Sequence, residues 1–214
     1  MRADIRLWTA IAMIGICGFS VAQGWSIVHF SLAIRNIDSS EKRAEIVSRW
    51  TEVPGLASSA LQAELKENFN PSDEMAAIRR RAVLSAILSI KPLSSRDWLT
   101  LSTMQLVTDQ PIEDVLRSLN LSMLTGPNEG DVMGERGIFA VSLWEDLSPD
   151  LKSRTAMDLA AMNFVVPSNV VEDAESGKFR AVLSTKSERV RNELREDLLA
   201  AGLSPKEVEQ RLGF

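Results

Sequence analysis

Histidine, cysteine and tyrosine are almost missing from this chain of 214 residues. It contains one His, one Cys and no Tyr, and both His29 and Cys17 fall in the apolar stretch Leu7 to Phe30. The rest of the chain therefore cannot form the Ser-His-Asp or Cys-His arrangements of nucleophilic catalysis, or a zinc site built from His or Cys. A lone Cys also excludes an intramolecular disulfide. The catalytic chemistry that remains open is that of carboxylates.

Positive charge is also in short supply. The chain has 24 Lys and Arg against 29 Asp and Glu, a formal net charge of -5. Because Arg2, Arg6 and Asp4 give the first six residues a side-chain charge of +1, the remainder carries -6. Binding to the phosphates of nucleic acid needs clustered Lys and Arg, so we expect no nucleic-acid partner. The one dense basic run, Arg79 to Arg81, is expected to lie on a solvated helix face.

Charged residues are absent from one long stretch. Leu7 to Phe30 contains no Asp, Glu, Lys or Arg, and as a helix it would be about 36 Å long, enough to cross a hydrocarbon layer of about 30 Å. Trp8 and Trp25 would stand about 25 Å apart along it, which suits a pair of interfacial aromatic residues. The sequence predicts an N-terminal transmembrane anchor at residues 1–34, followed by a soluble all-helical domain at residues 35–214.

An alternative interpretation of the same stretch is a cleaved signal peptide. Ser20-Val21-Ala22 places small residues after a short basic start and the apolar run Ile11 to Phe19. Apolar residues continue past Trp25, further than a secretory segment needs, and this favours the anchor. Both interpretations place the domain on the far side of the membrane.

The basic residues that flank the stretch do not decide its orientation, because they occur on both sides of it. A short basic leader before a first apolar segment is typical of export. It predicts a single-pass membrane protein with its N-terminus inside and its domain on the far side of the membrane. Gly15, Gly18 and Gly24 could form a small-residue face that packs against another membrane helix.

The rest of the chain shows apolar residues at helical spacing and no alternating strand pattern, which predicts an all-α fold. Asn70-Pro71-Ser72-Asp73 should begin a helix that runs to about Ile90, before Pro92. Ser94 and Asp97 have the spacing of a capping box at the next helix start. Further helix starts are expected at Gln110-Pro111, Ser148-Pro149, Ser187 and Ser204-Pro205.

Two of these helices form a unit with the length of a known repeat. Ser94 to Pro127 spans 34 residues, the length of a tetratricopeptide repeat, and we expect Trp98, Leu101 and Val107 to face inward. Trp98 and Leu101 also match the opening of that repeat's pattern. Three positions depart from it, namely Ser102, Gln105 and Asp114. The sequence therefore predicts helical hairpins of a tetratricopeptide-like or α-solenoid-like kind.

A glycine-rich stretch follows from Thr125 to Gly137, TGPNEGDVMGERG. Its four glycines match neither phosphate-binding motif, its acids would repel phosphate, and the pattern of a calcium loop is absent. We therefore interpret it as an exposed connector and expect no catalytic, cofactor-binding or metal-binding residue. Its polar residues are the candidates for binding a partner: Asn128, Glu129, Asp131, Glu135 and Arg136.

Three segments, DWLTLSTMQLVTDQPIEDVL, LTGPNEG and RGIFAVSLWEDLSP, together resemble an uncharacterised group of bacterial single-pass membrane proteins with helical domains. Members of that group tend to accompany genes for exopolysaccharide or O-antigen assembly. The resemblance covers about Ser94 to Ala161 and contains no catalytic motif. It implies a non-enzymatic scaffold or accessory protein of the bacterial inner membrane, with its domain in the periplasm and a membrane partner such as a polytopic polysaccharide-assembly protein. Two alternatives stay open. One is a cell-wall glycan hydrolase that uses Glu129 or Glu135 as its acid. The other is an adaptor with the same domain facing the cytoplasm.

Overall fold

The computed structural model describes residues 57–65, 73–161 and 174–212, together with seven positions before residue 51. Within these ranges all regular structure is helical, which confirms the all-α prediction. The chain divides into two compact units, residues 1–69 and residues 70–214. The helices are α1 Ala57–Leu65, α2 Glu74–Ile90, α3 Ser95–Val107, α4 Ile112–Thr125, α5 Gly130–Ser142, α6 Pro149–Ala161, α7 Ala174–Ser184, α8 Glu188–Ala200 and α9 Pro205–Leu212, with a 3₁₀ turn at Trp144–Asp146.

The first unit contains α1, on which Ala60 is buried. Most of the predicted membrane segment lies outside the described residues, including Gly15, Gly18 and Gly24. Among the residues that are described, no helix has both the length and the apolar character that a membrane crossing requires. The transmembrane anchor therefore stays a prediction.

In the second unit, side-chain caps begin several helices. Helix α2 begins at Glu74 with Asp73 as its cap, so it starts after the predicted Asn70-Pro71 and not at it. The Asp73 side chain accepts a hydrogen bond from the Ala76 amide, and Ser94 Oγ accepts one from the Asp97 amide. These bonds satisfy amides that have no partner within their own helix. At α9 the cap is reciprocal, because Ser204 Oγ accepts from the Glu207 amide while the Glu207 carboxylate accepts from the Ser204 amide.

Helices α3 and α4 pack side by side as a hairpin, and α2 packs against α3. Small polar residues face the hairpin interior: Ser102 is fully buried and its hydroxyl donates to the Val115 carbonyl at 2.7 Å. The prediction that Val107 faces inward is wrong, since 45% of its surface is exposed at the last turn of α3. Leu101 is buried as predicted, and Leu99 of the same helix is buried as well.

The helices from α5 to α9 share their core with α3 and α4. Trp144 and Phe179 are its largest apolar side chains, and the α8 stripe Val190, Leu194 and Leu198 packs among them as its spacing predicts. Helix α5 packs on α6 and α7, α6 packs on α8, and α8 packs on α9. Gly202, with φ of +100°, lets the chain turn back after α8.

The interpretation of residues 125–137 as an exposed loop is wrong for most of its length. Helix α4 extends to Thr125 and α5 begins at Gly130, so that only four residues connect them. Two glycines sit where helices or loops approach closely. A Cβ on Gly137 would lie 2.8 Å from Leu159 Cδ2, and one on Gly126 would lie 2.5 Å from Ser95 Cβ. Both glycines serve packing, and at Gly137 the low helix propensity of glycine is outweighed by the close approach that it permits.

Candidate functional site: a methionine groove beside a buried ion pair

A buried ion pair joins α5 to α6. Arg136 has no exposed surface and Asp158 is only 5% exposed. The contact is bidentate, with Arg136 Nε 2.6 Å from Asp158 Oδ2 and Arg136 Nη2 2.9 Å from Asp158 Oδ1. This parallel geometry is the strongest form of an arginine–carboxylate contact.

The third guanidinium nitrogen of Arg136 is also engaged. Nη1 donates to the Ser122 carbonyl at 2.8 Å and to the Gly126 carbonyl at 3.2 Å. Ser95 Oγ lies 3.4 Å from the same nitrogen. The first two acceptors belong to the last turn of α4 and its C-cap, where each carbonyl also accepts one backbone amide, from Gly126 and Glu129 respectively. Arg136 therefore closes the end of α4 while it holds α6.

Two opposing effects act on the pKa of Asp158. Burial raises the pKa, because it disfavours the charged carboxylate, and the Arg136 guanidinium opposes that rise through its hydrogen bonds and charge. Both partners are enclosed and fully hydrogen-bonded. The pair is therefore built to hold helices together, and its atoms are not placed to transfer protons to a substrate.

An open groove of about 550 Å³ runs beside this pair. We call it the methionine groove. Its apolar lining comes from the end of α4, the connector, α5 and α6: Met123, Leu124, Pro127, Met133, Met157 and Ala161. Asn128 and Arg154 add the accessible polar groups, while the Arg136–Asp158 pair forms part of the wall. This volume lies within the range of ligand pockets in proteins.

Two groove side chains are more than half exposed. Leu124 is 53% and Met157 57% exposed, although both are large and apolar. Isolated exposed apolar side chains are ordinary, but these two line one concavity together with Met123 and Met133. Methionine is flexible and polarizable, and it is favoured at surfaces that adapt to apolar partners.

The five predicted partner-binding residues have different surroundings. Asn128 and Glu129 are exposed at the start of α5. Asp131 and Glu135 are exposed on α5 but pair with Arg96 of α3, at 2.7 Å and 3.2 Å respectively. The hydrogen bond from Arg96 lowers the pKa of Asp131.

The inclusion of Arg136 in that set requires a correction. Because it has no exposed surface, it cannot itself contact a partner in this structure. It lies four positions after Val132 and eight before Trp144, both of which are buried, so the helical turn carries it inward. Asn128 is the predicted residue that lines the groove with an exposed side chain.

Sequence reasoning missed Asp158, Arg154 and the groove methionines. A signal for Asp158 existed, since it lies seven residues after Leu151 and three after Thr155 on the buried face of α6. A charge at such a position predicts a buried partner. Its partner is 22 residues away on another helix, and no local pattern shows that pairing.

No three His, Cys, Asp or Glu side chains come together as a metal site within the ranges that the structure describes. Comparison of the chain with models of protein families, with curated proteins and with solved structures gives no match. The resemblance over Ser94 to Ala161 therefore stays a prediction.

Proposed function

We propose that this chain is a non-enzymatic scaffold or accessory protein whose helical domain binds a protein partner at the methionine groove. One observation carries the proposal: an open apolar concavity lies next to an ion pair whose donors are internally satisfied. Such a surface offers adaptable apolar contact and a fixed shape. It offers no exposed pair of titratable groups for proton transfer.

The setting of this scaffold follows from the sequence. We place it in the bacterial inner membrane with residues 1–34 as its anchor and the helical domain in the periplasm, because Leu7 to Phe30 is uncharged and long enough to span. The resemblance over Ser94 to Ala161 favours envelope polysaccharide assembly. In this proposal the α3–α4 hairpin is a tetratricopeptide-like unit, and the partner is a membrane protein of the assembly machinery.

The alternative is a cell-wall glycan hydrolase that uses Glu129 or Glu135. Glu135 is half exposed and its carboxylate lies 3.2 Å from Arg96 Nη1, so its surroundings are solvated and charged. Glu129 is exposed at the N-cap position of α5. A glycosidase acid is usually held in apolar surroundings that keep it protonated. Substitution of each residue by Gln tests the alternative, which requires loss of glycan cleavage with the helical content unchanged.

In-cell photo-crosslinking tests the scaffold proposal. A photo-reactive residue at Asn128, at the groove, should capture a polysaccharide polymerase, ligase or transporter from intact membranes. The matched control places the same residue at Glu188, which is exposed on α8 and does not line the groove. Equal capture at both positions, or capture of glycan without protein at Asn128, would contradict a protein-binding groove.

A further inference from the structure

We infer that the methionine groove takes an apolar peptide segment that carries one carboxylate, and that this carboxylate pairs with Arg154. The inference rests on the proposed function, because it assumes that the groove binds protein. To that function it adds the chemical character of the segment that the partner presents to the groove. It also assigns a specificity-determining role to Arg154, which the sequence did not single out.

The apolar part of this inference follows from the groove lining. Three methionine side chains, Met123, Met133 and Met157, come from three different helices and face one concavity. Leu124 and Met157 leave more than half of their surface exposed. Covering these side chains with leucine-like or phenylalanine-like groups removes apolar surface from water, and the flexible thioethers can adjust to their shape.

The carboxylate part follows from the charge in the groove. Arg154 is exposed on α6, and its side chain makes one long hydrogen bond, to the neutral Asn120 Oδ1 at 3.5 Å. In the part of the chain that the structure describes, Arg154 enters no ion pair. The charges of Arg136 and Asp158 cancel in their bidentate contact. The groove therefore keeps one positive charge, on a chain whose net charge is -5.

An arginine beside an apolar surface favours a carboxylate ligand. Its planar donors can bind both carboxylate oxygens, and partial removal of water strengthens that contact. Apolar contacts provide the buried surface, and the ion pair fixes the position of the segment along the groove, as in other complementary interfaces. A segment with one Asp or Glu among apolar residues meets both requirements.

An anionic lipid fits the groove less well than such a peptide. The donors of Arg136 are already engaged, so Arg154 would meet a phosphate alone. The negative charge of the chain would also oppose approach to an anionic bilayer surface. We therefore assign the groove to protein.

Selection from a random 12-residue peptide library on phage tests the inference. The full-length chain is held in nanodiscs of zwitterionic lipid, and the same selection is run on the Arg154→Glu variant. The wild-type chain should enrich apolar peptides that contain one Asp or Glu. The enriched peptides should bind Arg154→Glu about tenfold more weakly, since an ion pair becomes a repulsion.

Two matched controls show whether the effect belongs to the groove. Arg79→Glu makes the same charge change at an exposed arginine of α2 and should leave binding unchanged. Met157→Gln should weaken binding, whereas Met75→Gln should not, although Met75 is 71% exposed on α2. Circular dichroism confirms that each variant folds.

Several outcomes would overturn the inference. These are enrichment of peptides without acids, equal binding to Arg154→Glu, or no enriched peptide at all. Binding of phosphatidylglycerol vesicles that depends on Arg154, without any enriched peptide, would assign the groove to a lipid anion instead. If crosslinking at Asn128 still captures a protein in any of these cases, the scaffold proposal survives and only the partner chemistry is wrong. If crosslinking fails as well, the proposed function is also wrong.

Discussion

Arg136 carries its charge in the interior and engages every nitrogen of its guanidinium. Its partners are a carboxylate on α6 and two carbonyls at the end of α4. Burial of such a pair gives no guarantee of net stability, because both ions lose water. Loss of one partner, however, leaves an uncompensated charge in the core.

We therefore expect Arg136→Leu to lower the free energy of unfolding by about 3–5 kcal/mol, because Asp158 stays buried without its partner. Urea denaturation followed by circular dichroism measures the change. The double variant Arg136→Leu, Asp158→Leu should recover much of the loss.

The control for this variant is Arg117→Leu, which breaks an exposed pair with Asp114. It should cost less than about 1 kcal/mol. Equal effects of Arg136→Leu and Arg117→Leu would show that the buried pair is not a special determinant of stability.

Glu193 of α8 gives stability a dependence on pH. Its carboxylate accepts from Lys152 Nζ at 2.8 Å and from the indole nitrogen of the buried Trp144 at 3.1 Å. These bonds, the Lys152 contact first, lower the pKa of Glu193 below its ordinary value of 4.5. The unfolded state binds this proton more readily than the folded state does. The stability that ionised Glu193 contributes is therefore present above about pH 4.5, and it is lost as the pH falls through the lowered pKa.

Glu193→Gln should therefore show a smaller loss of melting temperature than the wild type when the pH is lowered from 6 to 3. Thermal unfolding followed by circular dichroism at a series of pH values measures this. Asp131 has a pKa lowered in the same direction by Arg96, and Asp131→Asn is the matched comparison. Parallel curves for wild type and Glu193→Gln would contradict the assignment.

Helix boundaries in the second unit could be predicted from the sequence because their signals are local. Asp73, Ser94 and Ser187 each accept a hydrogen bond from the amide three residues later. Proline at the first turn marks α6 and α9 in the same way. A capping signal depends on four consecutive residues, so no knowledge of the fold is needed to interpret it.

The glycine-rich stretch could not be predicted in this way. Four glycines in thirteen residues indicate a loop on propensity alone. What places Gly137 in a helix is its contact with Leu159, which is 22 residues further along the chain. The candidate site could not be predicted for the same reason, because Arg136, Asp158 and the methionines come together only when three helices pack.

Gly137→Ala tests the close packing of α5 on α6. The added Cβ would lie 2.8 Å from Leu159 Cδ2 and 3.0 Å from Leu159 Cγ, so the leucine or the helix must shift. We expect the free energy of unfolding to fall by about 1–3 kcal/mol, despite the better helix propensity of alanine.

Gly130→Ala is the control in the same helix, because a Cβ added there would meet nothing within 4 Å. It should be neutral or raise the free energy of unfolding by up to about 1 kcal/mol. Chemical denaturation of both variants measures the two changes in the free energy of unfolding. A stabilised Gly137→Ala variant would show that α5 and α6 separate without cost.

At the scale of the whole molecule, the uncharged stretch Leu7 to Phe30 favours an apolar environment, whereas the acidic helical domain favours water. If residues 1–34 are the proposed anchor, their removal should move the chain from the membrane fraction to the soluble fraction. Ultracentrifugation of lysates and circular dichroism of the released protein measure the two parts of this expectation. The mass of the full-length product distinguishes an anchor from a signal peptide cleaved near Ala22. A truncated chain that stays in the membrane fraction would contradict the anchor.

The close approach at Gly126 also limits how the sequence can drift over evolutionary time. Any side chain at position 126 would begin 2.5 Å from Ser95 Cβ, at a point where the backbone carbonyl of 126 also serves Arg136. A larger residue at 126 therefore needs a glycine at 95 and also a displaced Glu129 side chain, whose Cδ would lie 2.7 Å from the same Cβ. Among descendants of this protein, positions 95 and 126 should change together, and a lineage that kept Arg136 should rarely change either one alone.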